Sequence, residues 1–148
     1  LDELLSASSL GYSVPAPLAY GRYYWRLQVK TSNGWSNWTP VYMFDLSTKP
    51  VAPVVVSPIN KEIVPSSTPV LTWEGVSDPV VPVTAYQVQI SYSSVFSPLQ
   101  QSAQVTEAQY TASALPDGKY FWRVRAINAL GVKGKWSTTG IFKVNVSP

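Results

Sequence analysis

The 148-residue chain contains no cysteine and no histidine. Without cysteine there is no disulfide framework and no thiolate for nucleophilic or metal chemistry, and the redox compartment stays undecided. Without histidine, Ser-His-Asp and Cys-His machinery is excluded together with most transition-metal sites. Carboxylates, Lys, Tyr and Ser are what remain for catalysis. Charge is scarce as well, at 13% of residues, about half the share usual in globular proteins. The net charge of +3 comes from dispersed basic residues. Nucleic-acid binding requires a dense Lys/Arg stripe, so no such partner is expected. No apolar run approaches the roughly 18 residues of a membrane helix, and no membrane span is expected. Leu1-Asp2-Glu3-Leu4-Leu5 lacks the basic start and apolar core of a signal peptide. An export signal, if the protein uses one, is expected upstream or already removed. No run matches a calcium loop or a phosphate-binding glycine loop, and no cofactor or metal is expected.

Val, Thr, Tyr and Trp abound, whereas Ala-, Leu- and Glu-rich helical stretches are missing. Low charge with many Ser, Thr, Gln and aromatic residues suits an extracellular or cell-surface β-protein better than a cytosolic enzyme. The first third of the chain also repeats the last third. Leu18-Ala19-Tyr20-Gly21-Arg22-Tyr23-Tyr24-Trp25-Arg26-Leu27 lies over Leu115-Pro116-Asp117-Gly118-Lys119-Tyr120-Phe121-Trp122-Arg123-Val124. Gly34 then meets Gly131, Trp38 meets Trp136 and Phe44 meets Phe142, after a one-residue difference in the intervening loop. A period of roughly one hundred residues is that of whole small domains in tandem, not of solenoid units. The second copy has a stretch ahead of the matching segment that the first copy lacks. Residues 1–47 therefore read as the last three strands of one domain, 48–53 as a Pro-marked linker and 54–148 as a complete domain.

Period-two alternation supplies the strands. Leu71 and Trp73 share one face of Val70–Glu74; Tyr86, Val88 and Ile90 share another. A weaker strand runs from Gln104 to Ser113. In Tyr120–Ala126, Tyr120, Trp122, Val124 and Ala126 point inward and Phe121, Arg123 and Arg125 outward. Phe142, Val144 and Val146 are the inward set of the last strand. In the first copy Tyr12, Tyr23–Val29 and Val41–Leu46 stand for the last three strands. Short strands at about ten-residue spacing, punctuated by Pro and Gly, predict a β-sandwich. The expected core is Leu71, Trp73, Tyr86, Val88, Ile90, Tyr110, Leu115, Tyr120, Trp122, Val124, Phe142 and Val144.

Trp73, the Tyr86-x-Val88-x-Ile90 strand and the run Leu115–Ala126 resemble fibronectin type III domains, particularly the bacterial kind. The resemblance implies an all-β, immunoglobulin-like sandwich in tandem, complete over about residues 50–148 and partial over 10–47. It also implies a tyrosine corner at Tyr120, whose hydroxyl is expected to reach backbone near Leu115–Asp117. Tyr23 is expected to do the same for Pro17–Tyr20. Domains of this family are spacers, adhesin segments and accessory modules of secreted polysaccharide-degrading enzymes, so the resemblance says little about function.

Glu74 and Asp78 flank one loop and could form a glycosidase pair, but Glu74 reads as an outward strand residue and Asp78 as the start of an Asp-Pro turn. Gln87, Gln89, Phe121, Arg123, Arg125 and Lys143 project from one sheet face. Such a mix either binds sugars, peptides or acidic surfaces or forms a self-contained cross-strand ladder. Tyr24, Arg26, Gln28 and Lys30 recreate it in the first copy, which favours the ladder, since a binding site would more naturally be unique to one copy. Trp35 has no counterpart; with Trp38 it is either a contact residue on a loop or folds back on its own domain. Asn37-Trp38-Thr39 and Asn145-Val146-Ser147 fit the glycosylation pattern but arise easily by chance here. The leading expectation is a non-catalytic spacer or adhesion segment of a larger secreted or surface protein. The runner-up is a carbohydrate- or peptide-binding accessory module of an extracellular enzyme. Expected partners are neighbouring domains, or other subunits that complete the partial first domain, with truncation of a longer chain preferred.

Overall fold

The structure, a computed structural model, describes residues 2–6 and 8–146. The Asn145 acceptor pattern ends on Ser147, outside the described residues. The chain divides into two compact units, Leu1–Leu46 and Ser47–Pro148, and every regular element among the described residues is a strand.

In the first unit β1 (Gly21–Trp25) pairs antiparallel with β4 (Tyr42–Leu46), and the short strands β2 (Lys30–Thr31) and β3 (Gly34–Trp35) pair with each other. The register sets Tyr23 opposite Phe44 and Trp25 opposite Tyr42. Both pairs stack, with centroids 5.5 Å and 4.9 Å apart. The strand expected over Tyr23–Val29 stops at Trp25. Beyond it side-chain oxygens enter the ladder: the Leu27 and Val29 amides donate to Thr39 Oγ1 and Ser36 Oγ. Tyr12 lies in no strand. Its counterpart Tyr110 sits on a strand with a partner, and the first unit holds no such partner among its described residues.

The second unit is a sandwich. One sheet has the order β10 (Gln109–Thr111), β7 (Val70–Trp73), β5 (Val55–Ser57). The other has the order β6 (Glu62–Val64), β12 (Gly140–Val144), β11 (Gly118–Asn128), β8 (Val83–Ser91), β9 (Leu99–Val105). All pairings are antiparallel except β6 with β12. The single strand expected over Gln104–Ser113 is two strands in different sheets, because the chain turns at Thr106–Ala108 and changes layer. Tyr110 is consequently half-buried at the sandwich margin, its hydroxyl donating to Gln101 Oε1 at 3.0 Å. The other expected core residues are all buried in one cluster. The stretch 48–53 lies against this unit: Pro50 and Pro53 are buried, and Ser47 Oγ accepts a hydrogen bond from Asn128 Nδ2 at 2.8 Å.

Trp122 is the largest fully buried side chain. Its Nε1 donates to the Pro58 carbonyl at 2.8 Å. A Cβ at Gly140, opposite it on β12, would overlap the indole. Trp73 packs near it, centroids 6.3 Å apart, but its own buried Nε1 has no partner among the described residues. Replacing Trp122 with Ala is expected to cost about 3–5 kcal/mol, read as a fall in the denaturant midpoint. Trp73→Phe removes a donor that is already unpaired and is expected to cost clearly less than Trp122→Phe, which leaves the Pro58 carbonyl without its donor. Equal midpoints for the two Phe variants would contradict this assignment.

Candidate functional site

Alternation on β11 turns Phe121, Arg123 and Arg125 away from the core, and the β11–β8 register sets Arg123 opposite Gln89 and Arg125 opposite Gln87. Each guanidinium donates twice to its glutamine carbonyl, Arg123 at 2.9 and 2.8 Å and Arg125 at 2.9 and 2.7 Å. The indole of Trp136 lies between the two guanidinium groups, with its ring centroid 4.2 Å from Arg123 Cζ and 4.3 Å from Arg125 Cζ. Phe96 covers the other side of Arg123 at 4.0 Å. The column Phe96–Arg123–Trp136–Arg125 is a closed cation–π ladder. Partial burial lowers the Arg123 pKa first and the charge of Arg125 second. Trp136 was readable from its alignment with Trp38. Phe96 carries no periodic signal, because it sits in a loop with φ of 56°.

The first unit repeats the device in part. The Arg26 guanidinium lies 4.2 Å over Trp38 and Lys30 Nζ lies 5.5 Å from the Trp35 ring. Trp35 and Trp38 are both exposed, yet their rings do not stack on one another among the described residues, so they form two cation–π pairs and no joint flat platform. The expected tyrosine corners are present in both units: Tyr120 donates to Pro116 O and Tyr23 to Ala19 O, each at 2.8 Å.

The carboxylates do not converge. Asp78 Oδ1 accepts the Val80 and Val81 amides at 2.9 and 3.1 Å. Those bonds, in that order, hold its pKa below the ordinary 3.8 against a smaller opposing effect of burial. Glu74 is exposed, and its amide donates to Val54 O. Two shallow hollows exist, one beside Gln104, Glu107 and Gln109 and one beside Ile59, Asn60 and Lys61, and neither brings two carboxylates together. No helix among the described residues is long and apolar enough to cross a membrane.

Paired sheets, a tyrosine corner and a buried tryptophan define a β-sandwich of the fibronectin type III and immunoglobulin-like class. Residues 58–146 match the family model described as the Rha78A-like, N-terminal immunoglobulin domain, and the chain belongs to that family. Among solved structures, the FN1–FN3 domains of chicken CNTN1 superpose with a TM-score of 0.60 at 18% identity, over 90% of this chain and 46% of that one. The alpha-L-rhamnosidase of Dictyoglumus thermophilum superposes with a TM-score of 0.50 at 19% identity, over 67% of this chain and 12% of the enzyme. A Fn3-like protein from Clostridium thermocellum is 23% identical over 68% of this chain and 99% of its own length, with a TM-score of 0.48. No curated protein sequence matches the chain.

Asp78 provides a direct check on the turn role. Its folded pKa is lowered, so the turn contributes fully above about pH 4 and that contribution is lost as the pH falls through the folded value. A carboxyl titration followed by carbon NMR is expected to give a midpoint below 3.8. A midpoint above the ordinary range, as a catalytic acid needs, would contradict it.

Proposed function

We propose that the chain is a non-catalytic positioning segment of a larger secreted or cell-surface protein, two modules in tandem that hold neighbouring domains apart. The observation that carries this reading lies in the first unit. Tyr23, Trp25, Tyr42 and Phe44 tile one face of β1–β4, with Trp25 at 47% and Phe44 at 42% exposure. Their counterparts Trp122 and Phe142 are both fully buried, inside the second sandwich. Leaving such rings in water forfeits roughly 1.5–3 kcal/mol each. The outer edge of β1, which corresponds to the β11 edge paired by β8, has no strand beside it among the described residues, an open invitation to association. The face is one layer of a further sandwich, completed by polypeptide outside residues 1–47. Adjoining sequence of the same protein is preferred over another subunit, because the strands of residues 54–148 are all used in their own sandwich. The Pro-marked stretch 48–53 then serves as a semi-rigid joint. Membership in a family described by an N-terminal immunoglobulin domain supports a place beside a catalytic domain, as does a match to 12% of a rhamnosidase.

A carbohydrate- or peptide-binding accessory module is the second reading, favoured by the exposure of Trp35 and Trp38. The 148-residue chain is expected to release no product from aryl α-L-rhamnosides or from a polysaccharide panel, and to bind ANS through the uncovered first-unit face. Turnover that Glu74→Gln or Asp78→Asn abolished would overturn the non-catalytic role. A chain that left the dye dark would overturn the uncovered layer.

A further inference from the structure

The two copies differ in charge at one register position. In the first unit Arg22 and Asp45 stand opposite each other and form a bidentate ion pair at 2.8 and 3.0 Å. Their counterparts in the second unit are Lys119 and Lys143, again directly opposite. Like charges in that relation destabilise a sheet, and no carboxylate among the described residues pairs with either ammonium. The next outward residues of β11 are Phe121, Arg123 and Arg125, and Arg125 replaces the neutral Gln28 of the first copy. The outward face of the second sandwich therefore carries four cations, two of them gained relative to the first unit. Asp117, the nearest acid in the sequence, lies at the start of β11 with Oδ1 accepting the Val146 amide.

The ladder explains Arg123 and Arg125 as structure, because it recurs in part in the first copy. It does not explain Lys119 and Lys143, which give up an ion pair that the same register supports elsewhere in the chain. We propose that this face binds a linear polysaccharide bearing carboxylates on its sugars, a polyuronate. The cations extend over about 20 Å along β11, the reach of a polymer and not of one sugar. The face is the surface of a sheet whose central strands already have neighbours on both sides, so it offers no backbone edge to an acidic peptide strand. Each guanidinium keeps its NH1 group without a protein acceptor among the described residues, in a geometry suited to carboxylates. Gln87, Gln89 and the half-exposed Phe121 supply amides and a ring edge for sugar hydroxyls and C–H groups. This binding stands independently of the positioning role.

Affinity electrophoresis of the 148-residue chain in polygalacturonate, with dextran, poly-L-glutamate and polyphosphate in parallel gels, tests the assignment. Retardation is expected in polygalacturonate and none in dextran. Raising ionic strength from about 0.01 to 0.15 M should weaken it steeply, as screening shortens from about 30 to 8 Å. Lys143→Asp, which installs the arrangement Asp45 already shows to be compatible with this register, is expected to weaken binding about tenfold or more and to leave the denaturation midpoint equal or higher. If that variant fails to fold, Lys119→Gln carries the same test, since it removes one charge and adds none. Absence of retardation in polygalacturonate, unchanged binding by the folded variant, or equal retardation in poly-L-glutamate or polyphosphate would each overturn the proposal.

Discussion

The contact between the Trp122 indole and the backbone around it is the constraint on which the second unit depends. The ring is fully buried, and its N–H is satisfied across the sandwich by the Pro58 carbonyl. That bond ties the chain between β5 and β6 to the middle of the larger sheet. It also requires the partner position on β12 to lack a side chain, since any Cβ at Gly140 meets the ring. One residue on β11 thereby sets the composition of β12 and the path of the first strands. The neighbouring Trp73 buries a comparable ring but leaves its N–H without a protein acceptor, at a cost of about 1–3 kcal/mol. The two tryptophans differ in polar satisfaction more than in burial.

The copies share devices well below the level of strands. In both, the long strand continues past its regular ladder by means of a hydroxyl. Val124 N donates to Ser137 Oγ while Ser137 N donates to Val124 O. Leu27 and Thr39 make the same reciprocal pair in the first unit. A hydroxyl that accepts from the facing amide lets the strand following the loop bend without leaving a buried N–H unpaired. The tyrosine corners coincide in the same way, both at 2.8 Å. These agreements rest on hydrogen-bond geometry and so survive the absence of a covered core in the first unit.

Period-two alternation was enough to read β7, β8, β11 and β12, because each carries large apolar residues on one face only. The inward set of β11 and both tyrosine corners followed from the same pattern together with the resemblance. The short strands β5 and β6 escaped notice: they lie on either side of Pro58 and are too brief for a period to show. The boundary between β9 and β10 was also hidden, since Gln104–Ser113 has mixed polarity and the layer change at Thr106–Ala108 leaves no Gly or Pro marker. On the outer face Arg123 and Arg125 were identified by alternation, whereas Phe96 and the Lys119–Lys143 opposition depend on a loop conformation and a register that only three-dimensional pairing reveals.

One further difference between the copies bears on how β1–β4 can be covered. Tyr42 occupies the register position of Gly140 and stacks on Trp25. In the second unit that space is what lets Trp122 lie flat against β12 and reach Pro58. A layer placed over β1–β4 therefore meets a wider surface, with an extra ring where the second sandwich has none. A copy of the β5–β6 segment laid in the equivalent place would encounter Tyr42, so the matching layer must stand farther off or present smaller side chains there. Trp25 is then held by its stacking partner on β4 and not by a carbonyl across the sandwich. Its indole N–H, which makes no hydrogen bond within the described residues, stays available to the covering chain.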